Sequence, residues 1–367
     1  MRIAMLSDCY LPRLGGIEVQ VHDLSQRLVA AGHEVEVFTL TPGGATYRHT
    51  EIVDGIRVHR LGVTLPGDLL VNPIATRLLR GRLHGFDVAH LHMGVVSPFA
   101  YDAARHVTRL GLPAAMTWHC VLDKAAPVVR AMGLVRRWAR GGMAMSAVSE
   151  VAAEPLRALT GARVTVLPNG IDAAAWRPTG RPFGDDGVCR IVSAMRLERR
   201  KRPVALVEAV ARVRAATPGR DVRLEILGEG SERSHVERAV ARVGGDGWVS
   251  LPGRVSREHL KARYAASDVY VMPSVLESFG IAALEARSAG LPVIARKESG
   301  AGEFVVDDVN GYLVGSDAEL VQRLTTLVVH PSIRTRMTRH NLDTVPDQDW
   351  PAVVRTAEAE YARAITG

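Results

Sequence analysis

Cysteine, lysine and aromatic residues are all scarce in this chain. Three cysteines, Cys9, Cys120 and Cys189, are spread over 367 residues. Their number is odd, and their spacing fits neither a disulfide framework nor a metal knuckle, which points to a reducing compartment. Aromatics make up 5% of the chain, few for a surface that stacks bases, and no nucleic-acid-binding motif accompanies them. Lysine occurs only at positions 124, 201, 261 and 297, so the basic charge is nearly all arginine. No apolar run approaches the roughly 18 residues of a membrane span. The opening residues, MRIAMLSDCYLPRLGG, carry one Arg and then an apolar run broken by Asp8. No small-residue cleavage site follows, unlike a secretory signal. The expectation is a cytoplasmic protein.

What is present is an ordinary globular composition, 47% hydrophobic and 23% charged, with a formal net charge of +7. The positive balance suits an anionic partner, although an Arg- and Ala-favouring codon bias would produce it too. The length exceeds what one core usually holds, so two domains are expected. Short apolar runs alternate with amphipathic segments. Strands are expected near 1–6, 34–40, 56–60, 87–91, 114–117, 144–148 and 164–167, with helices at 15–31 and 150–159 and another between 91 and 114. Pro178, Gly180, Pro182, Gly184 and Gly187 break the pattern over 176–187, as a linker would. Alternation restarts with strands near 190–194, 223–227, 249–251, 269–272 and 292–295 and helices at 203–215, 257–266 and 278–289. Residues 350–365 read as a final amphipathic helix. The fold class is α/β, with two doubly wound parallel sheets and a ligand cleft at the carboxyl ends of their strands.

Four places along the chain suggest chemistry. The segment Pro273-Ser-Val-Leu-Glu277-Ser278-Phe279-Gly280-Ile-Ala-Ala-Leu-Glu285 sets a carboxylate on either side of a helix start. With the helix beginning near Ser278, the two acids stand roughly 12 Å apart. That is too far for a shared proton, and suited to the two ends of an extended ligand whose diphosphate meets the helix N-terminus. A capped helix with two solvated acids fits the same residues. The segment Met195-Arg196-Leu-Glu-Arg-Arg-Lys201-Arg202-Pro203 crowds five cations into seven positions between a strand and a helix, which suits phosphate binding or a solvated basic loop. Gly15-Gly16 opens the first helix and lets a ligand approach the backbone. His119 ends a strand, with His90 and His92 ending the one before it.

Taken together, these segments resemble glycosyltransferase family 4. The resemblance covers essentially the whole chain and is strongest over 190–315. Glu277, seven intervening residues and Glu285 match the family's E-x7-E signature, and the Arg196 loop matches its Gly-Arg-Leu to Lys-Gly segment. Two departures stand out: Ala194-Met195 replaces the usual Gly before Arg196, and Arg202 replaces the Gly after Lys201. The first 120 residues are more loosely similar to phosphatidylinositol N-acetylglucosaminyltransferase and phosphatidylinositol mannosyltransferases. The resemblance implies a GT-B fold of two Rossmann-like domains, 1–177 for the acceptor and 178–346 for the nucleotide sugar, with 347–367 crossing back as a helix. It implies a retaining transfer of a hexose or N-acetylhexosamine from a UDP- or GDP-sugar to an acceptor hydroxyl, with an inositol phospholipid, a glycolipid or a small metabolite as the candidate acceptors. His119, Arg196, Lys201 and Glu277 would be catalytic. Gly16, Arg196, Lys201, Gly228, Ser278, Phe279, Gly280 and Glu285 would bind donor. No metal or other cofactor is implied, and no nucleic acid. A non-catalytic nucleotide-sugar-binding protein and a nucleotide-sugar epimerase of the same fold are the alternatives. Finally, residues 128–140 carry Val128, Ala131, Met132, Val135 and Trp138 on one helical face beside four arginines, and 72–84 carries Arg77, Arg80 and Arg82 among leucines. Such helices suit an anionic membrane surface or a core-packed position.

Overall fold

The computed structural model describes residues 1–13, 15–43, 49–62, 72, 75–79, 81–123, 126–179 and 186–367. Contacts divide the chain into two compact units, Met1–Gly170 with Trp350–Gly367, and Ile171–Asp349. The divisions read from the sequence stood at 177/178 and 346/347. Residues 180–185 of the expected linker lie outside the described residues.

The first unit runs β1 (Arg2–Ser7), α1 (Gly16–Ala30), β2 (Glu34–Thr39), β3 (Thr50–Val53), β4 (Ile56–Arg60), α2 (Ala75–Leu79), β5 (Val88–Met93) and α3 (Pro98–Leu110). It continues through β6 (Ala114–Trp118), α4 (Ala126–Met132), α5 (Leu134–Arg140), β7 (Ala144–Ala147), α6 (Glu150–Thr160) and β8 (Val164–Val166). Its eight strands lie in the order β3-β4-β2-β1-β5-β6-β7-β8. All pairs are parallel except β3 with β4. Every residue of β5 and β6 is buried, as expected of central strands covered on both faces.

The second unit runs α7 (Ala173–Trp176), β9 (Val188–Ala194), α8 (Pro203–Ala216), β10 (Asp221–Leu227), α9 (Arg233–Arg242), β11 (Val249–Gly253), α10 (Arg257–Ala265) and β12 (Val269–Met272). It closes with α11 (Ile281–Ser288), β13 (Val293–Arg296), β14 (Gly311–Val314), α12 (Asp317–Val329) and α13 (Pro331–Asp343). Its six strands are all parallel, in the order β11-β10-β9-β12-β13-β14. The last helix, α14 (Trp350–Thr366), belongs to the first unit. There it buries Trp350, Val353, Ala357 and Tyr361 among Val21, Leu24, Ala115 and Ala144. The second unit has its own core, built on Ile191, Leu206, Val210, Leu224, Val271 and Ile294.

Several expectations need correction. The helix expected from 278 begins at Ile281, because Gly280 takes the left-handed conformation (φ 95°) at its N-cap. Glu277 therefore sits in a loop off the helix axis, and the 12 Å separation along a continuous helix does not apply. Residues 128–140 form two short helices, since Gly133 is left-handed between them. Val135 and Trp138 are buried, with Trp138 against Tyr101, so the apolar face expected there is partly core. Of the basic segment 72–84, residues 73, 74 and 80 lie outside the described residues.

Candidate active site

Strand order locates the site in each unit. In a doubly wound sheet, ligands sit outside the carboxyl ends of the strands where the order reverses. That point lies between β9 and β12 in the second unit and between β1 and β5 in the first. The loops leaving these four strands contain most of the residues singled out in the sequence.

In the second unit, β9 delivers the Arg196 loop and β12 delivers the Glu277 loop. Leu197 is fully buried and anchors the first loop in the core. The loop's backbone is tied to the one after β10: Met195 N–H donates to Leu227 O (2.9 Å), Leu197 N–H to Glu229 O (3.0 Å) and Glu232 N–H to Leu197 O (2.8 Å). This approach is why glycine stands at 228 and 230. A Cβ on Gly228 would lie 1.9 Å from the Met195 carbonyl oxygen, and one on Gly230 would lie 2.4 Å from that of Leu197. Gly228 is thus a spacer for the loop that carries Arg196. Arg196 itself is exposed, 3.5 Å from Glu198.

Lys201 and Glu277 meet directly, Nζ donating to Oε2, with both side chains largely buried. An ammonium has three N–H donors and a carboxylate two oxygens. One of each is used here, so both groups keep capacity for a ligand. The Glu277 loop is held from behind by Gly300 N–H donating to Glu277 O (2.8 Å). A Cβ on Gly300 would strike Ser278 O at 2.2 Å. Phe279 is buried against Phe304, with ring centroids 5.5 Å apart, so what it offers a ligand is backbone. Beneath the loops lies Tyr270, whose hydroxyl donates to Ala194 O (3.1 Å). Burial raises its pKa, and the charges of Glu285 and Glu277 add to the effect.

In the first unit, Gly15 caps α1 and Gly16 is its first residue. Asp8, at the end of β1, accepts the N–H groups of Phe99 (3.0 Å) and Ala100 (3.1 Å) at the start of α3. It is a buried helix cap, with its pKa raised to about 6 by desolvation. Buried Arg60 braces the same loop by donating to Thr41 O (3.3 Å), Leu11 O and Glu51 (2.7 Å).

His119 follows β6. Its Nε2 lies 3.0 Å from His92 Nδ1, and Asn169 also bonds its side chain. His90 and His92 share one face of β5, as two residues apart in a strand must, and their rings are 4.1 Å apart. His90 Nε2 lies 2.7 Å from Thr117 Oγ1, which is 2.7 Å from Ser146 Oγ. Ser146 Oγ lies 3.3 Å from Met116 O, a pure acceptor. Satisfying that carbonyl makes Ser146 the donor to it, Thr117 the donor to Ser146, and His90 the donor to Thr117. The other His90 nitrogen, Nδ1, then accepts from the Tyr361 hydroxyl of α14 (2.9 Å). Burial pushes the pKa of His90 down to about 3 and that of His119 to about 4, and lowers that of His92 well below its ordinary value. All three rings are neutral at pH 7, so His119 is a hydrogen-bonding group and not a fixed cation.

The family models divide this chain between them. The one described as "Glycosyltransferase Family 4" matches residues 14–175, and "Glycosyl transferases group 1" matches 185–342. D-inositol 3-phosphate glycosyltransferase of Pseudarthrobacter chlorophenolicus is 30% identical over 387 aligned residues, covering 96% of this chain and 91% of that protein. The chain belongs to glycosyltransferase family 4. A phosphatidylinositol N-acetylglucosaminyltransferase component of Arabidopsis thaliana is 26% identical, covering 100% of this glycosyltransferase and 82% of the relative. The structure of Anabaena Alr3699/HepE in complex with UDP superposes with a TM-score of 0.77 at 19% identity, over 99% of this chain and 100% of that one. The fold shared is GT-B.

Some residues of the glycosyltransferase's loops escaped sequence reasoning. Asp317, which pairs with Arg202, lies far along the chain in a segment assigned no element. The signal was there: Ser316-Asp-Ala-Glu319 is a capping box, and Ser316 Oγ does accept the Glu319 N–H (3.1 Å). The bond between His92 and His119 needed strand register, because Met93 and Trp118 are paired across the β5–β6 ladder.

Proposed function

We propose that this glycosyltransferase is a retaining enzyme that takes a hexose or N-acetylhexosamine from a UDP- or GDP-sugar. The acceptor proposed is a hydroxyl of an inositol phosphate or inositol lipid. The observation that carries the donor assignment is the Lys201–Glu277 contact beside exposed Arg196, at the switch point of the second unit's sheet. Two cations there suit a diphosphate, and a carboxylate with a spare oxygen suits a sugar hydroxyl. The Glu285 carboxylate would hold the ribose, and the loop around Ser278 and Gly280 would supply backbone N–H groups. HepE, of the same fold, binds UDP. The inositol assignment rests on relatives whose names specify inositol 3-phosphate and phosphatidylinositol.

In this reading the diphosphate leaves with its charge stabilised by Arg196 and Lys201. The acceptor hydroxyl enters on the same face and passes its proton to the departing phosphate oxygen. Neutral His119 holds a sugar hydroxyl. No metal or other cofactor takes part. No helix among the described residues is long and apolar enough to cross a membrane. The reading places the enzyme in the cytoplasm, where a lipid acceptor would be met at the inner membrane face.

The test is a thermal-shift screen of UDP, GDP and their sugars, followed by nucleotide release with inositol 3-phosphate. One nucleotide should raise the melting temperature. Lys201→Ala should slow release by roughly 10²–10³-fold while melting normally without ligand. Near-normal turnover in that variant would refute the site.

A further inference from the structure

Arg202 stands where the resemblance to family 4 leads one to expect glycine, and its backbone conformation is one that suits glycine. It sits at φ 57°, ψ 44°, the left-handed region, between the single 3-10 turn of Arg199–Lys201 and Pro203, the first residue of α8. Glycine enters that region without penalty and arginine does not. Something must hold it there, and the side chain does. Its guanidinium makes a bidentate pair with Asp317, Nη1 to Oδ1 at 2.8 Å and Nη2 to Oδ2 at 2.6 Å, at the start of α12. Nη1 also reaches Pro273 O at 3.4 Å. Arg296 Nη1 donates to Asp317 Oδ1 from the other side at 3.2 Å.

These contacts have a direction. Arg202 follows Lys201 in the chain, and Pro273 follows β12 at the root of the Glu277 loop. One guanidinium therefore joins the Lys201 turn to the Glu277 loop and anchors both to the first turn of α12. Lys201 and Glu277 meet at the far end of the same two segments.

We infer that Arg202 and Asp317 form a clamp that positions Lys201 against Glu277 for sugar transfer, its side-chain bonds holding the left-handed turn that an arginine backbone does not favour. The inference rests on the roles proposed above for Lys201 and Glu277. Arg202 is a positioning residue and touches neither substrate nor leaving group. The fork geometry matters, because a lysine would reach Asp317 through one ammonium and leave Pro273 O without its contact.

The test uses Arg202→Gly, which keeps the backbone conformation and removes the clamp, and Asp317→Asn, which keeps the shape and removes the charge. Each should lower kcat about tenfold, in line with the cost of sub-ångström misplacement of a catalytic group, with little change in melting temperature. The double variant should fall no further than either single one, because both remove the same contact. Arg202→Lys should recover only part of the loss. The clamp is overturned if Arg202→Gly keeps wild-type kcat while Lys201→Ala is inactive, or if the two losses multiply. If Lys201→Ala is itself fully active, the failure belongs to the proposed site.

Discussion

His119 is enclosed with His92 and His90 in one stack of imidazoles at the carboxyl ends of β5 and β6. Each ring is neutral when folded and takes up a proton on unfolding below its ordinary value of 6.5. Because the folded values are depressed, stability is intact above 6.5 and falls as pH drops toward the folded values near 3 and 4. At pH 5 His90 and His119 each contribute a loss of about 2 kcal/mol, and His92 acts in the same direction. Asp8, just after neighbouring β1, acts the other way. Its folded value is raised from 3.8 to about 6, so it favours the folded state in acid and offsets about 1 kcal/mol at pH 5. Three rings outweigh one carboxyl. Urea unfolding of the first unit should show markedly lower stability at pH 5 than at pH 7, and His92→Asn should shrink that difference. Equal stability at both pH values would mean that the rings are not held neutral.

At the scale of elements, the loops after β9 and β12 of this glycosyltransferase depend on backbone contacts that leave no room for a side chain. Gly228 has φ 135°, and its missing Cβ is the space occupied by Met195 O. Gly228→Ala should therefore cost roughly 2–4 kcal/mol through strain and overpacking. It should also lower turnover by displacing the Arg196 loop, while Gly247→Ala, which meets no neighbouring atom, should do neither. A chemical-denaturation curve and a nucleotide-release assay on the two variants separate the cases. Elements with strong local signals were legible in the sequence. The periodicity of α1 and the apolar runs of the central strands read correctly, and α6 starts where its capping Ser149 accepts the Ala152 N–H at 3.2 Å. Of the β3–β4 hairpin only β4 was read, and β3 was missed, although Asp54-Gly55 carries the turn and both residues have positive φ. So were β14, α12 and α13, whose apolar positions are set by packing on β13 and α8 more than by a clean period. The loops after β9 and β12 were legible as motifs, but their geometry was not. Gly280 delays α11 through one left-handed residue, and Arg202 occupies a glycine position only by means of a partner 115 residues away. No local pattern encodes such a pairing.

At the scale of the whole molecule, the first unit is built from both ends of the chain and the second from the middle. The first unit's core includes Trp350, Val353, Ala357 and Tyr361 from α14, so it is complete only with α14 in place. Gly170 fits only because its bare Cα faces the Trp350 ring, 2.3 Å from where a Cβ would stand. Two cores with separate residues predict two unfolding events with separate handles. Tyr361→Phe removes the donor to buried His90 Nδ1 and should destabilise by about 1–3 kcal/mol. It should lower the transition of residues 1–170 and 350–367 and leave that of 171–349 in place. A bound nucleotide should do the converse, raising the transition of 171–349 in proportion to the logarithm of its concentration over Kd. Hydrogen exchange resolved by peptide, with and without UDP, assigns each shift to its unit. If both perturbations move the same peptides together, the units do not unfold separately, and Tyr361 then stabilises the molecule as a whole.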